Sequence, residues 1–308
     1  MKTIVTGGSG LVGNALKKIL PTAHYPTRND VNLLNQKETM QWFRTFSPTQ
    51  VIHLAAKVGG VQANMNQPAS FAVENMTINT NLLEACYQAG TKKVVSMLSS
   101  CVYPDSPYVV YPLTENQLHL GPPHFTNYGY AYAKRMLEVQ SRAYRQQYGC
   151  VFTTVIPNNL FGPHDNYRTE DSHVIPAIIR KVWEAKQANA PFIEVWGDGS
   201  PLREFTYSED IAKILVWLLE NYDGVEPLNI GSTIEVSIKD VVEKVCEYFG
   251  YDGKIKWNTA KPSGQYRKPT SNQNLLNLGW NASNYTPFND ALKRSCDWFG
   301  SNHTTARK

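Results

Sequence analysis

The sequence has no hydrophobic run near the roughly 20 residues that a membrane-spanning helix needs. Of its 308 residues, 42% are hydrophobic and 18% are charged, which is typical of a globular protein. The N-terminus looks like a strand and lacks the charged and then apolar layout of a signal peptide. We therefore predict a protein without a membrane anchor.

Cysteine is scarce and scattered along the chain. The five cysteines are Cys86, Cys101, Cys150, Cys246 and Cys296; they are odd in number and form no C-x-x-C pair. This spacing argues against a disulfide framework and against a zinc site, so we predict no metal. It favours a reducing compartment, and we expect a cytoplasmic protein.

Blocks of lysine or arginine are also missing. The net charge of +4 is mild, which argues against a nucleic-acid partner and suits an anionic small molecule. The chain shows no repeats and no low-complexity tract. Its last residues, 301–308, look like a frayed tail.

The chain opens on a glycine-rich turn between a predicted strand and a predicted helix. Residues 1–13 read MKTIVTGGSGLVG and fit both G-x-G-x-x-G and G-x-x-G-x-x-G. Glycine lets the backbone turn tightly and approach a pyrophosphate, and the helix N-terminus attracts the phosphates. The alternative is a glycine-rich turn without a ligand. The residues predicted to hold the dinucleotide are Gly7, Gly8, Ser9, Gly10, Leu11, Val12 and Gly13.

Strand and helix patterns alternate through the first half of the chain. We predict an α/β fold, a doubly wound parallel Rossmann sheet with a smaller C-terminal α/β substrate lobe. Residues 1–162 form the predicted dinucleotide-binding domain, joined by a returning helix near 205–221. Residues 163–308 form mainly the substrate-binding lobe. A short second strand is predicted near His24–Tyr25.

Arg28 follows that second predicted strand. An acidic residue there usually binds the ribose 2′-hydroxyl of NAD, whereas an arginine accommodates the 2′-phosphate of NADP. Arg28 therefore favours NADP(H). The alternative interpretation is that Arg28 is a solvated side chain without a ligand. The nearby Asp30 leaves NAD as a possible cofactor.

Tyr130 and Lys134 form Y-x-x-x-K and share one face of a predicted helix. We expect the Lys134 ammonium to lower the pKa of the Tyr130 phenol, which is about 10 when unperturbed. Ser99 ends the preceding strand, where its hydroxyl can hold a carbonyl oxygen beside Tyr130. Alone, Y-x-x-x-K is common and usually marks two surface residues. Ser99, Ala56 and Pro157 all lie at the carboxyl ends of predicted strands, the edge where ligands bind in such folds.

In this order, the glycine motif, Ser99 and Tyr130-x-x-x-Lys134 resemble the extended short-chain dehydrogenase/reductase family. Further segments narrow the resemblance to the GDP-L-fucose synthases, over nearly the whole chain. Those segments are AAKVGG, NMTINTNLLEA, SSCVYP, FGPHDN, SHVIPA, VWGDGSPLREF and KPSGQYRK. The resemblance implies a homodimeric enzyme that uses NADPH to 3,5-epimerise and 4-reduce GDP-4-keto-6-deoxy-D-mannose to GDP-L-fucose.

The resemblance also implies roles for individual residues. Tyr130 is the catalytic acid, Lys134 also binds the nicotinamide ribose, and Ser99 is the hydroxyl beside the substrate. Cys101 and His173 match the two residues that move protons during epimerisation. Without the resemblance, Cys101 reads as a small packed side chain and His173 as a loop histidine bonded to backbone. The expected NADP(H) contacts further include Ala56, Pro157, Asn158, Asn159, Leu160 and His173.

For the nucleotide-sugar, the resemblance points to Lys181, Trp196, Arg203 and Lys268. The planar fork of Arg203 suits a diphosphate. Two of these residues have alternative interpretations. Trp196 could pack in the core, and Lys181 could be only a charge on the surface of a helix. One departure is Ser263, where the family commonly has aspartate, and it puts one substrate contact in doubt.

Two other functions remain open at this point. A nucleotide-sugar 4-epimerase or reductase of the extended family is the nearer one, but a 4-epimerase needs no acid–base pair such as Cys101 and His173. A non-catalytic, dinucleotide-sensing regulator on the same fold would have no need of Ser99, Tyr130 and Lys134.

Overall fold

Strands and helices alternate along the chain in a computed structural model that describes residues 2–168, 171–261 and 266–307. The described strands are β1 (Thr3–Thr6), β2 (Gln50–His53), β3 (Lys93–Met97), β4 (Val151–Ile156), β5 (Asn159–Phe161), β6 (Phe192–Trp196), β7 (Leu202–Tyr207), β8 (Leu228–Asn229), β9 (Glu235–Ser237) and β10 (Lys254–Asn258). The described helices are α1 (Leu11–Ile19), α2 (Gln36–Phe46), α3 (Val61–Asn66), α4 (Pro68–Gln88), α5 (Tyr128–Tyr148), α6 (Val174–Gln187), α7 (Ser208–Asn221), α8 (Ile238–Phe249), α9 (Gln273–Asn277) and α10 (Phe288–Asn302). Short 3-10 helices span Ser100–Val102, Glu115–Gln117, Phe125–Asn127 and Ala282–Asn284.

The main sheet is parallel and has the order β1-β2-β3-β4-β8. After β1 the chain passes to the outer side of that strand, where His24 pairs with Ile4, and then returns to form β2 on the other side. The strand order therefore reverses between β1 and β2. A crevice at such a reversal is the usual ligand site of a doubly wound fold.

The prediction of a second strand near His24–Tyr25 is wrong. The segment makes a single bridge, in which His24 donates to Thr3 and accepts from Val5 at 2.8 and 2.9 Å. Pro26 follows directly, and it has no backbone N–H with which to extend a ladder.

The two faces of the sheet pack into separate cores, as a doubly wound sheet requires. Val5, Ile52 and Val95 point to one side, where they meet α1 and α7. Their chain neighbours Ile4, Val51 and Val94 point to the other side, against α2, α4 and α5. The predicted fold class is confirmed.

A third core lies in the C-terminal half, between α6, α8, α10 and the strands β6 and β7. The helix α7 leaves that half and packs against α1, so the chain crosses between the two halves more than once. Within the described ranges, no helix has both the length and the hydrophobicity needed to cross a membrane.

The expectation of a frayed tail is wrong. Beyond α10, Ala306 packs against the third core, and the Arg307 carbonyl accepts the Tyr167 N–H at 2.9 Å. The His303 ring lies 4.1 Å from the Trp183 ring, centroid to centroid. Polar residues at a chain end do not reveal such tertiary contacts.

Candidate active site

The glycine turn between β1 and α1 is packed tightly against the end of β2. Gly7 has a φ of +74°, and a Cβ atom on it would lie 2.8 Å from the backbone nitrogen of Ala55. A Cβ atom on Gly13 would overlap the carbonyl oxygen of Gly7. No side chain caps the start of α1, so its first N–H groups are free to meet a phosphate. This cradle fits the pyrophosphate of a dinucleotide.

Arg28 and Asp30 lie in the turn after the His24 bridge, and they differ in what their side chains bind. The Asp30 carboxylate accepts the backbone N–H and the hydroxyl of Thr27, both at 2.7 Å, and these bonds lower the pKa of Asp30. The exposed Arg28 side chain makes no hydrogen bond or ion pair with another described residue. The guanidinium is thus available to a 2′-phosphate, whereas the carboxylate is already engaged.

Ser99, Tyr130 and Lys134 meet just beyond the carboxyl end of β3. The Ser99 hydroxyl lies near enough to the Tyr130 phenol to lower its pKa, and it accepts the Cys101 N–H at 3.3 Å. The Lys134 ammonium donates to the Met97 carbonyl at 2.7 Å and lies 6.0 Å from the centroid of the Tyr130 ring. The helix α5 therefore presents Tyr130 and Lys134 on the face that packs against the sheet.

The expected lowering of the Tyr130 pKa is wrong for this structure. Burial raises the pKa of Tyr130 above its ordinary value, and the nearby Ser99 hydroxyl offsets only part of that rise. Burial also lowers the pKa of Lys134 to about 8, since desolvation penalises the charged form of each group. At neutral pH the phenol is protonated, which suits a proton donor.

Cys101 lies within electrostatic range of both Tyr130 and Lys268. Burial lowers the pKa of Lys268, as does the nearby charge of Arg203, while Cys101 raises it. Arg203 itself donates to the Leu202 carbonyl at 2.7 Å and has its pKa lowered by burial. The structure thus brings a thiol, a phenol and two desolvated cations together, an arrangement suited to an anionic substrate.

His173 lies at the N-terminus of α6 and borders a cavity of about 210 Å³. Asn159, Leu160 and Gly60 line the same cavity. Desolvation in this cleft lowers the pKa of His173, while the nearby Asp171 raises it, so the imidazole is held towards its neutral form. No hydrogen bond or ion pair between described residues joins His173 to Cys101 or Tyr130.

The segment that follows β4 is held by bonds within the protein. The Pro157 carbonyl accepts the Ser100 N–H at 3.0 Å. The Asn158 side chain donates to Ser232 and accepts from Thr206, each at 2.7 Å, so it is satisfied inside the protein. Ala56, by contrast, lies half-buried just past the end of β2.

Sequence reasoning missed Glu204, which ties several site segments together. Its buried carboxylate accepts the Thr270 N–H at 2.9 Å and the Thr270 hydroxyl at 2.6 Å, and it also accepts from Asn158. Its carbonyl accepts from the Asn159 side chain at 2.9 Å. Glu204 therefore fixes the segment that carries Lys268 relative to the end of β4. A charged residue inside the strand pattern LREF was the only signal in the sequence.

Trp196 is the last residue of β6, and Lys181 on α6 contacts the same strand. The Lys181 ammonium donates to the Glu194 carbonyl at 2.5 Å. Trp196 is 55% exposed, which rules out core packing, and the Lys261 ammonium lies 5.5 Å from its ring centroid. Ser263 lies outside the described residues.

A doubly wound sheet with a glycine cradle, and with a Ser–Tyr–Lys set at its carboxyl edge, defines a dinucleotide-dependent oxidoreductase that acts on a carbonyl or alcohol. Comparison with known proteins narrows this class. The chain belongs to the NAD dependent epimerase/dehydratase family, which it matches over residues 3–231.

The similar proteins include several GDP-L-fucose synthases. The chain is 44% identical to that of Dictyostelium discoideum over 99% of this chain and 97% of the relative. It is 34% identical to that of Escherichia coli K12 over 91% of each. The crystal structure of a GDP-L-fucose synthetase from Naegleria fowleri bound to NADP superposes with a TM-score of 0.93, at 42% identity, over 99% of this chain and 94% of that one.

Proposed function

We propose that this chain uses NADPH to 3,5-epimerise and 4-reduce GDP-4-keto-6-deoxy-D-mannose, giving GDP-L-fucose. The relatives named above support this activity. The observation that carries it is the position of the Cys101 thiol, within electrostatic range of the Tyr130 phenol and the Lys268 ammonium. A 4-epimerase requires the Ser–Tyr–Lys set but no thiol there.

Epimerisation requires a base and an acid on opposite faces of the sugar ring. The C4 ketone acidifies the C–H bonds at C3 and C5, so Cys101, as the thiolate, removes a proton, becomes the thiol and leaves an enolate. Ser99 and Tyr130 hold the enolate oxygen by hydrogen bonds. On the opposite face of the ring carbon, His173 returns a proton in its imidazolium form, which the nearby Asp171 favours against the effect of burial, and this inverts that centre.

Reduction then requires a proton donor at the C4 oxygen. NADPH held at the glycine cradle, Gly7 to Gly13, would supply the hydride to C4. Tyr130 donates its phenolic proton to the oxygen as the carbonyl becomes an alcohol. The raised pKa of Tyr130 keeps that proton in place at neutral pH. Lys134, fixed by Met97, contributes a positive charge beside the phenolate that remains.

Charged side chains determine how the two ligands bind. Arg28 contacts the 2′-phosphate, which explains a preference for NADP(H) over NAD(H). Arg203 and Lys268 bind the diphosphate of the GDP-sugar, while Trp196 and Lys181 border the nucleoside end. The domain division follows: residues 1–162, together with α7, bind NADP(H), and residues 163–308 bind mainly the sugar nucleotide.

We further propose a homodimer formed through α4 and α5. These helices pack against each other, and both expose apolar side chains away from the sheet. Val73 and Met76 on α4 are 58% and 38% exposed, and Met136 and Val139 on α5 are 40% and 41% exposed. Paired copies would cover this face. The five free cysteines support a cytoplasmic location.

The direct test is to incubate the purified chain with NADPH and GDP-4-keto-6-deoxy-D-mannose and to identify the product by NMR. We expect GDP-L-fucose, inverted at C3 and C5. NADPH oxidation without inversion would indicate a simple reductase. Dinucleotide binding without any turnover would indicate the regulator.

A further inference from the structure

The helix that carries Tyr130 and Lys134 also carries a buried guanidinium that the proposed chemistry does not use. Arg135, the residue after Lys134, is 5% exposed. Its Nε donates to the Val102 carbonyl at 2.6 Å, and its Nη1 donates to the Gly121 carbonyl at 2.7 Å. Its Nη2 is buried and has no hydrogen-bond partner among the described residues. A cation is thus buried on α5 with two bonds to backbone carbonyls of another segment.

Burying this guanidinium carries a cost that its surroundings only partly offset. Burial lowers the pKa of Arg135 from its ordinary value, because desolvation penalises the charged form, and the nearby Tyr132 raises it. The guanidinium carbon lies 5.3 Å from the centroid of the Tyr132 ring, in range of a cation–π contact. Arginine keeps its charge even when it is desolvated. Both bonds to carbonyls are therefore charge-assisted and stronger than bonds between neutral groups.

The first of these carbonyls belongs to the short 3-10 helix that carries the thiol. Val102 follows Cys101 directly and ends that helix. At the other end, the Ser100 N–H donates to the Pro157 carbonyl at 3.0 Å, just beyond β4. Cys101 therefore lies between two anchors, Pro157 at the edge of the sheet and Arg135 on α5.

The second carbonyl closes the segment 103–120, which leaves the site after the 3-10 helix and returns at Gly121. The backbone bridge of Pro104 with Pro123 joins the two ends of this segment to each other. Arg135 instead joins both ends to α5. Because α5 also carries the catalytic phenol, the place of the thiol relative to the phenol depends on this anchor.

We propose that Arg135 is a positioning residue for epimerisation, in which its two carbonyl bonds fix the Cys101 thiol relative to the Tyr130 phenol. The inference rests on the proposed role of Cys101 as the base at C3 and C5. Arg135 acts through Val102 and Gly121, and it needs no contact with the substrate. Proton removal from carbon requires a narrow range of distance and angle, so a displacement of about 1 Å is costly in rate.

Arg135→Met removes both carbonyl bonds and keeps an apolar stem. Deuterium exchange at C3 and C5 should fall by roughly 10- to 100-fold, since the thiol is no longer held in place. Hydride transfer is measured in reverse, from GDP-L-fucose to NADP⁺, which needs no proton transfer at C3 or C5. It should stay within about twofold, because Tyr130 and Lys134 keep their positions on α5. Iodoacetamide should alkylate Cys101 at least about threefold faster, as read by peptide mass spectrometry, because the loosened segment opens more often.

Two further variants accompany this one. Arg135→Lys keeps a cation that reaches only one of the two carbonyls, so its exchange rate should lie between those of Arg135→Met and the unaltered chain. Arg145→Met is the matched control, because Arg145 also lies on α5 and donates to the Asp223 and Gly224 carbonyls of a different loop. It should leave exchange, hydride transfer and Cys101 alkylation unchanged.

Exchange and Cys101 alkylation at the unaltered rates in Arg135→Met overturn the inference. An equal loss of exchange and hydride transfer also overturns it, because that result marks a general structural role. If Arg135→Met does not fold, the same comparisons are made in Arg135→Lys. If the unaltered chain exchanges neither C3 nor C5 while Arg135→Met still speeds alkylation, the anchor stands and the proposed role of Cys101 is wrong.

Discussion

The glycine cradle and the Cys101 cluster lie at the same edge of the sheet but are built in different ways. In the cradle, Gly7 and Gly13 leave no space for a Cβ atom, so the backbone itself shapes the site. In the cluster, Arg203 and Lys268 come from the second half of the chain, and burial lowers the pKa of both. The cofactor site depends on local shape, whereas the substrate site depends on charges brought together by tertiary packing.

Tyr130→Phe should have the largest effect and should separate the two chemistries within the cluster. Without the phenol, the C4 oxygen has no proton donor, so reduction should fall by ~10²–10⁴-fold. Proton exchange at C3 and C5 should persist while Ser99 still polarises the ketone. Stopped-flow NADPH oxidation and NMR exchange measure the two steps. An equal loss of NADPH oxidation and of proton exchange would contradict a role of the phenol in reduction alone.

Arg203→Ala should affect the substrate site alone. Loss of a charge-assisted contact to the diphosphate should cost ~1.5–3 kcal/mol, about 10- to 150-fold in the Kd for GDP. Calorimetry with GDP and with NADPH checks this, and Arg44→Ala, on the exposed face of α2, is the control. An equal weakening for both ligands would contradict the division between the two regions.

The pH dependence of hydride transfer should report on Lys134. Its folded-state pKa is about 8, so the ammonium is lost as the pH rises through that value. Tyr130 does not titrate there, because its pKa is raised above its ordinary value. Single-turnover rates should fall about tenfold for each pH unit above the midpoint. Lys134→Arg keeps its charge and should remove the fall. If the unaltered chain shows no fall below pH ~10, the predicted desolvation of Lys134 is wrong.

Arg28→Ala should have the smallest effect, at the edge of the cofactor site. Because Arg28 is exposed, its contact with a 2′-phosphate is screened, and we expect a loss of about 1 kcal/mol, roughly fivefold in preference for NADPH over NADH. The ratio of kcat/KM for the two cofactors measures it, with Lys37→Ala as the control. Equal use of both cofactors by the unaltered chain would contradict the assignment of Arg28 to the 2′-phosphate.

The sequence predicts the local features of this molecule well. The glycine cradle and the helix that carries Tyr130 and Lys134 follow from glycine conformation and residue spacing, which depend on neighbouring residues. The bridge at His24 and the packing of the C-terminal tail could not be predicted in this way. Their partners, Ile4 and Tyr167, lie far away in the chain.

The same limit applies to the site. The tyrosine and lysine of α5 are recognisable by spacing, but the raised pKa of Tyr130 depends on burial that no spacing reveals. Glu204 was missed because its partners, Thr270 and Asn158, lie in distant segments. A charged residue inside a predicted strand is therefore a candidate for a buried group that hydrogen-bonds several distant segments.

The central claim is that Cys101 moves protons while Tyr130 completes reduction. The measurement is deuterium uptake from D₂O at C3 and C5, followed by NMR, in Cys101→Ser and in the control Cys150→Ser, which changes another half-buried free cysteine. We predict that Cys101→Ser loses most of the exchange, because a thiol ionises to a thiolate base far more readily than a serine hydroxyl ionises to an alkoxide, and that Cys150→Ser retains it. Exchange at the unaltered rate in Cys101→Ser would contradict the account and would leave Cys101 as a packed side chain.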